Sequence, residues 1–249
     1  MSDALTGKKK EEAETFYDNL LSVMIKKKLP FMIGGTFAFT EYTGIERDTG
    51  DIDIIIPHEM YPEILKSLAD AGYKPELPDE KDNWLAKIYD KKGYYTDLIW
   101  GERNGLHQVE ESWLKKARAG RVLGHNVLLE PVEDIVISKC YIQNRHRNDT
   151  NDIVHLILRQ GKDVDWKSLL QKADAHWELL MSHILTFLFV YPSERTNIPK
   201  WVIDHLVLKL EERLSHPATK SKITRGLLLS ADYQVGVTLW GFKPITDLQ

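Results

Sequence analysis

Two adjacent glycines, Gly34 and Gly35, stand between a short apolar run, Phe31 to Ile33, and a segment that opens at Thr36. A glycine turn that enters a helix exposes backbone N–H groups without intrahelical partners, at the positive end of the helix dipole, and such groups bind phosphate. Taken alone, the same pair is an ordinary tight turn. A second feature is DIDIIIP, Asp51 to Pro57. Asp51 and Asp53 lie two residues apart and share one face of a strand, where their repulsion calls for a cation. Hard divalent ions with oxygen ligands answer that need, and Mg²⁺ takes waters and phosphate oxygens as further ligands. Without an ion the pair is the polar side of a half-exposed strand. The third feature is Asp97, a lone acid inside the apolar run YYTDLIW. On a sheet edge it would be a solvated or ion-paired residue. Beside Asp51 and Asp53 it would complete a carboxylate set able to hold two metal ions about 4 Å apart for phosphoryl transfer.

The surrounding pattern predicts the elements that must position these groups. Phe16, Leu20, Leu21, Met24 and Ile25 recur at helical spacing over 11–28, and Pro30 ends that run. Thr36 is the expected N-cap of a helix reaching Tyr42, with Gly44 as its stop. Asp51 to Pro57 reads as a strand rich in β-branched Ile, Tyr61 to Ala71 as a helix. Leu85 to Tyr89 and Tyr94 to Trp100 read as strands around a DKKG turn, and Val127 to Leu129 as another short strand. Pro131 opens a helix to about Gln143, followed by helices over 149–159, 166–190 and 198–214. The order is α+β: a small mixed sheet with flanking helices over 1–130, then a mostly helical region over 131–249.

Composition narrows the classes. The chain has 249 residues with 33 Lys and Arg against 37 Asp and Glu, a formal charge of −4, and 43% hydrophobic residues. These are the proportions of a folded protein with ample core. The near-neutral charge argues against indiscriminate nucleic-acid binding and leaves a local basic groove open. The longest mostly apolar stretch, Ile184 to Tyr191, has 8 residues, whereas a membrane span needs about 20, so no membrane association is expected. The charged start, MSDALTGKKKEEAE, does not read as a signal peptide. A single cysteine, Cys140, allows no internal disulfide. The expected location is the cytoplasm.

Taken in order, Gly34–Gly35, then RDTGDID from Arg47 to Asp53, then Asp97 resembles the nucleotidyltransferase superfamily with its DNA-polymerase-β-like fold. The family pattern is a glycine turn, a short helix, an Asp-x-Asp strand and a later strand with a third acid. Fifteen residues separate Gly35 from Asp51, somewhat more than is usual there. PVEDIVISKCYIQNRHRNDTNDIVHLI, Pro131 to Ile157, is similar to the segment after the core in stand-alone bacterial nucleotidyltransferases, including abortive-infection-type toxins. The resemblance implies a transfer of a nucleoside monophosphate from an NTP to a hydroxyl, with loss of pyrophosphate. It implies Mg²⁺ or Mn²⁺ as cofactor on Asp51, Asp53 and Asp97, and a nucleotide held by Gly34, Gly35, Thr36, Arg47 and Lys139. Asp97 is also the candidate general base. Asp149 and Asp152 match two acids of the family segment without an assigned role.

The acceptor stays open among a tRNA or other RNA end, a small hydroxyl compound and a protein side chain, and toxin relatives suggest a cognate antitoxin. A non-catalytic nucleotide-binding module with the same fold, and a metal phosphohydrolase, are the other readings. The remaining features read as structural. His146, His155, His176 and His183 have no metal-ligand spacing and read as surface or satisfied core residues. RHR at 145–147 reads as a surface turn, Trp166, Trp177 and Trp201 as core, and Cys140 as a small buried residue.

Overall fold

A computed structural model of the chain describes residues 7–77, 83–143, 146–225 and 234–245. The chain divides into two compact units, Met1–Pro131 and Val132–Gln249.

In the first unit the described strands form one sheet of seven: β1 (Met32–Ile33), β2 (Asp53–Ile55), β3 (Lys74–Glu76), β4 (Leu85–Tyr89), β5 (Tyr95–Ile99), β6 (Arg118–Val122) and β7 (His125–Leu129). Their order is β3-β4-β5-β2-β1-β7-β6. The pairs β2–β5 and β1–β7 are parallel, and the other neighbours are antiparallel. Strict alternation separates the two faces of β4 and β5: Ala86, Ile88, Thr96 and Leu98 are buried, while their neighbours are half-buried. Ile33, Ile52 and Ile54 extend the buried set, along with the apolar sides of α1 (Lys8–Lys26), α2 (Gly35–Thr43) and α3 (Tyr61–Asp70).

The opposite face is divided. At one end Met32 and Ile55 pack with Val109 and Trp113, the latter from α4 (Glu111–Lys116), and Ile99 and Leu128 join them. At the other end the same face carries acids. Helix α1 is tied to that end by polar contacts. The Tyr17 hydroxyl donates to the Gly50 carbonyl at 2.7 Å, and the Tyr94 hydroxyl donates to Glu12 at 2.8 Å.

The second unit contains α5 (Val132–Cys140), α6 (Thr150–Gln160), α7 (Trp166–Ala173), α8 (Trp177–Val190) and α9 (Lys200–Ser215), then β8 (Ile223–Arg225), α10 (Gln234–Thr238) and β9 (Lys243–Ile245). Its core is Ile135, Val136, Ile153, Leu156, Trp166, Leu169, Trp177, Leu180, Ile184, Phe187, Val202 and Leu206. The Asp165 side chain accepts from the Ser168 backbone N–H and caps α7. Strands β8 and β9 pair in parallel. None of the described helices is long and apolar enough to cross a membrane.

Several expectations are corrected. The strand expected from Asp51 is Asp53–Ile55, so Asp51 precedes it. Thr36 does not cap α2: the N-cap is Gly34, with no side-chain cap. The expected helix over 166–190 breaks at a 3₁₀ turn, Asp174–His176, because Asp174 adopts a φ of 25°, outside the helical range. Trp201 is 49% exposed, because α9 buries only Val202 and Leu206. Strands β3 and β6 and helix α4 were not anticipated, and β7 begins two residues earlier than expected. Part of the RHR turn, residue 145, lies outside the described residues; Arg147 bonds Asp149.

Candidate active site

The site grows from strand register. In the β2–β5 pair Asp53 stands opposite Asp97, and in the β4–β5 pair Lys87 stands opposite Asp97. Directly opposed residues point to the same side of a sheet, so Lys87, Asp97 and Asp53 form one row on one face. One step past the Ile33–Ile54 pair, the Gly34 N–H donates to the Asp53 carbonyl at 2.9 Å and carries the row into the glycine turn. The Glu130 N–H donates to the Ile33 carbonyl at 2.9 Å on the far side, and the buried Glu130 carboxylate reaches Gly34. A Cβ on Gly34 would lie 2.6 Å from Glu130 Oε2.

Gly35 is required twice over. Its φ of +55° is a conformation that L side chains rarely adopt, and a Cβ there would stand 1.7 Å from Asp53 Oδ2. The Asp53 carboxylate therefore sits directly against the first turn of α2. Asp51, half-buried, accepts from the Thr49 hydroxyl at 3.0 Å. Between the two acids, the Ile52 carbonyl accepts a hydrogen bond from the buried Thr96 hydroxyl and anchors the segment to β5.

Asp97 is engaged by Lys87, whose Nζ lies 2.9 Å from Asp97 Oδ1 and 3.9 Å from the centroid of the Tyr95 ring. Burial works against the Lys87 charge, but the hydrogen bond and charge of Asp97, with Tyr95 and Tyr89, outweigh it and raise its pKa. The Tyr17 hydroxyl senses all three acids. Burial first, then Asp51, Tyr95, Asp53 and Asp97, push its pKa far above the usual phenol range. Tyr17 thus stays a neutral donor.

The other candidates are placed differently. Thr36 is half-buried in the first turn of α2. Arg47 is exposed, with its guanidinium carbon 4.2 Å from the Phe39 ring centroid. Lys139 belongs to the second unit, where its Nζ donates to Asp149 at 2.7 Å and to Asp152 at 2.8 Å, all three groups being buried. Among the described residues no three His, Cys, Asp or Glu side chains are grouped to hold a metal ion. Asp53 and Asp97 nevertheless present hard oxygen donors from adjacent register positions, which is the donor chemistry Mg²⁺ takes. One oxygen of Asp97 is committed to Lys87.

Lys87, Tyr17 and Glu130 were not anticipated. Lys87 lay in a strand that was read correctly, but only the β4–β5 register shows which acid it faces. Tyr17 and Glu130 reach the row through tertiary contacts with no local sequence signal.

Residues 34–189, well over half of the chain, match the model of a family described as uncharacterised nucleotidyltransferase, and the protein belongs to that family. It is a nucleotidyltransferase enzyme. No curated protein matches it. Among solved structures, the antibiotic-resistance factor ANT(2'')-Ia is 20% identical with a TM-score of 0.46, covering 70% of this chain and 97% of that one. The lincosamide antibiotic adenylyltransferase LnuA, solved with lincomycin bound, is 18% identical with a TM-score of 0.41, covering 62% and 98%. JHP933 from Helicobacter pylori is 16% identical with a TM-score of 0.36, covering 82% and 96%.

Proposed function

We propose that the protein moves a nucleoside monophosphate from an NTP to a hydroxyl acceptor, releasing pyrophosphate, in a reaction that depends on Mg²⁺ or Mn²⁺. The observation that carries this reading is the Asp53–Asp97 register pair ending at the Gly34–Gly35 turn. Backbone N–H groups at Gly35 and Thr36, at the start of α2, would receive the triphosphate, while Gly34, whose own N–H is spent on the Asp53 carbonyl, would let the phosphates approach the turn. Asp51, Asp53 and Asp97 would hold the divalent ions. When bound, these ions neutralise the phosphate oxygens and lower the pKa of the attacking hydroxyl. The acceptor oxygen attacks the α-phosphorus while the bond from that phosphorus to the bridging oxygen of the β-phosphate breaks. Asp97 takes the hydroxyl proton, and pyrophosphate leaves with the electron pair of the broken bond. Arg47 adds positive charge from the loop before Asp51. Lys139 remains a candidate phosphate contact, in competition with its two carboxylate partners. The acceptor is an RNA end or a small hydroxyl compound.

The test is incubation with each α-labelled NTP, Mg²⁺ or Mn²⁺, and separate pools of RNA and small hydroxyl compounds, with Asp53→Asn alongside. Label should pass to an acceptor whose size identifies its class, and transfer should fall by at least about 100-fold in the variant. Nucleotide binding without pyrophosphate release, across all acceptor pools, would instead make the protein a non-catalytic nucleotide-binding module.

A further inference from the structure

Lys87 is placed where a cation is needed and where a metal ligand is taken. It stands opposite Asp97 in the β4–β5 register, in the row that continues to Asp53, and its ammonium holds Asp97 Oδ1 at 2.9 Å. The side chains are part-buried, 37% exposed for Lys87 and 20% for Asp97, so this ion pair is shielded from water on the strand side. The same Nζ lies 3.9 Å from the Tyr95 ring centroid. Tyr95 is two residues from Asp97 on β5 and shares its face.

We propose that Lys87 is a built-in counter-cation of the acidic face, which makes entry of the second of two divalent ions conditional on withdrawal of its ammonium from Asp97. This rests on the nucleotidyltransferase reading of the site. The physical argument is competition. An ammonium and a hard dication seek the same carboxylate: Lys87 holds Asp97 Oδ1, and a dication brought to the other oxygen meets the charge of the ammonium beside it. With Lys87 in place the row carries a cation before any metal arrives, which lowers the repulsion between Asp53 and Asp97. The four-carbon stem of Lys87 lets the ammonium swing off Asp97 while it keeps the contact it already makes with the Tyr95 ring. Lys87 is paired with Asp97, so the ion that needs Asp97 is the one that must displace it. The two metal positions are therefore unequal, and the second fills only after Lys87 has moved.

Mn²⁺ titration of the full chain, in the presence of a non-hydrolysable NTP analogue and read by the paramagnetic resonance of free Mn²⁺, tests this without turnover. The wild-type protein should hold one ion tightly and a second more weakly. Lys87→Met should bind the second ion about two- to fivefold more tightly, the scale of one part-exposed ion pair, and Lys87→Arg should behave as the wild type. Should Lys87→Met fail to fold, Lys87→Gln removes the same charge and keeps a hydrogen-bonding end for Asp97. An unchanged second affinity on loss of the charge would overturn the role of Lys87 and leave the proposed reaction standing. Absence of Mn²⁺ binding in every variant would overturn the metal-dependent reading itself, and this inference with it.

Discussion

Gly35 and Asp53 occupy each other's space: the position that a Cβ on Gly35 would take lies 1.7 Å from Asp53 Oδ2. The glycine, the first residue of α2, is therefore required by a side chain on β2 as well as by its own backbone. The acid it accommodates stands opposite Asp97. The turn and the carboxylate pair are one object.

Gly35→Ala follows directly. Forcing a Cβ into a left-handed position costs about 1–2 kcal/mol, and the collision displaces the Asp53 carboxylate as well. A displacement of about 1 Å in a reacting group can cost on the order of 100-fold in rate. Nucleotide transfer should fall by that factor while the protein remains folded, as read by labelled-NTP transfer beside a thermal melt.

Thr96→Val tests the anchor of the acid-bearing segment. The variant keeps the shape of the side chain and removes the donor to the Ile52 carbonyl. An unsatisfied buried acceptor costs about 1–3 kcal/mol. Chemical denaturation should show a loss in that range, and transfer activity should fall with it, because Ile52 lies between Asp51 and Asp53.

Lys139 offers a separation of roles. Buried beside Asp149 and Asp152, it neutralises two carboxylates, and removing one partner of a buried ion pair costs about 3–5 kcal/mol. Lys139→Met should lose that much stability. The variant's NTP affinity at low temperature, where it remains folded, then measures the phosphate role on its own. An unchanged affinity would leave Lys139 a purely structural residue.

Two groups among the described residues of the second unit should make its stability depend on pH. Burial lowers the pKa of His183 despite a backbone hydrogen bond involving Cys140. The unfolded chain takes up this proton near its ordinary pKa of about 6.5 while the folded chain resists, so stability should fall as pH drops below that value. Asp149 acts at lower pH. Burial opposes its charge, but the Arg147 hydrogen bond and Lys139 hold its pKa below the usual range. Its contribution is present above the unfolded value of about 3.9 and is lost as pH falls through the folded value. Unfolding midpoints from pH 8 to pH 3 should show both losses, and His183→Asn should flatten only the upper one.

What the sequence disclosed were features with a local cause. The Phe31–Ile33 run, the Gly34–Gly35 turn, the Ile-rich segment after Asp53 and the two strands around Asp90 to Gly93 each carry propensity and punctuation within a few residues, and each has its counterpart in the fold. His176 and His183 are buried with partners, Tyr141 and Gln143, as core histidines should be. Hidden were the features that depend on partners distant in sequence. β6 has no apolar alternation of its own and exists as the antiparallel partner of β7. The apolar periodicity of α7 continues into α8, so the break at Asp174 left no mark on the pattern. Lys87 was visible as a strand lysine, but its register against Asp97 is a property of the sheet.

The parallel pairing of β2 with β5 has a kinetic consequence. Asp53 and Asp97 are 44 residues apart in the chain, the same separation that the Thr96–Ile52 hydrogen bond spans. Closing so long a loop must precede any gain from the contacts it permits, and non-local parallel pairing is slow to form. Helical signal on refolding should therefore return before the two carboxylates meet. A newly made chain spends an interval in which much of its secondary structure is present and its chemistry is not.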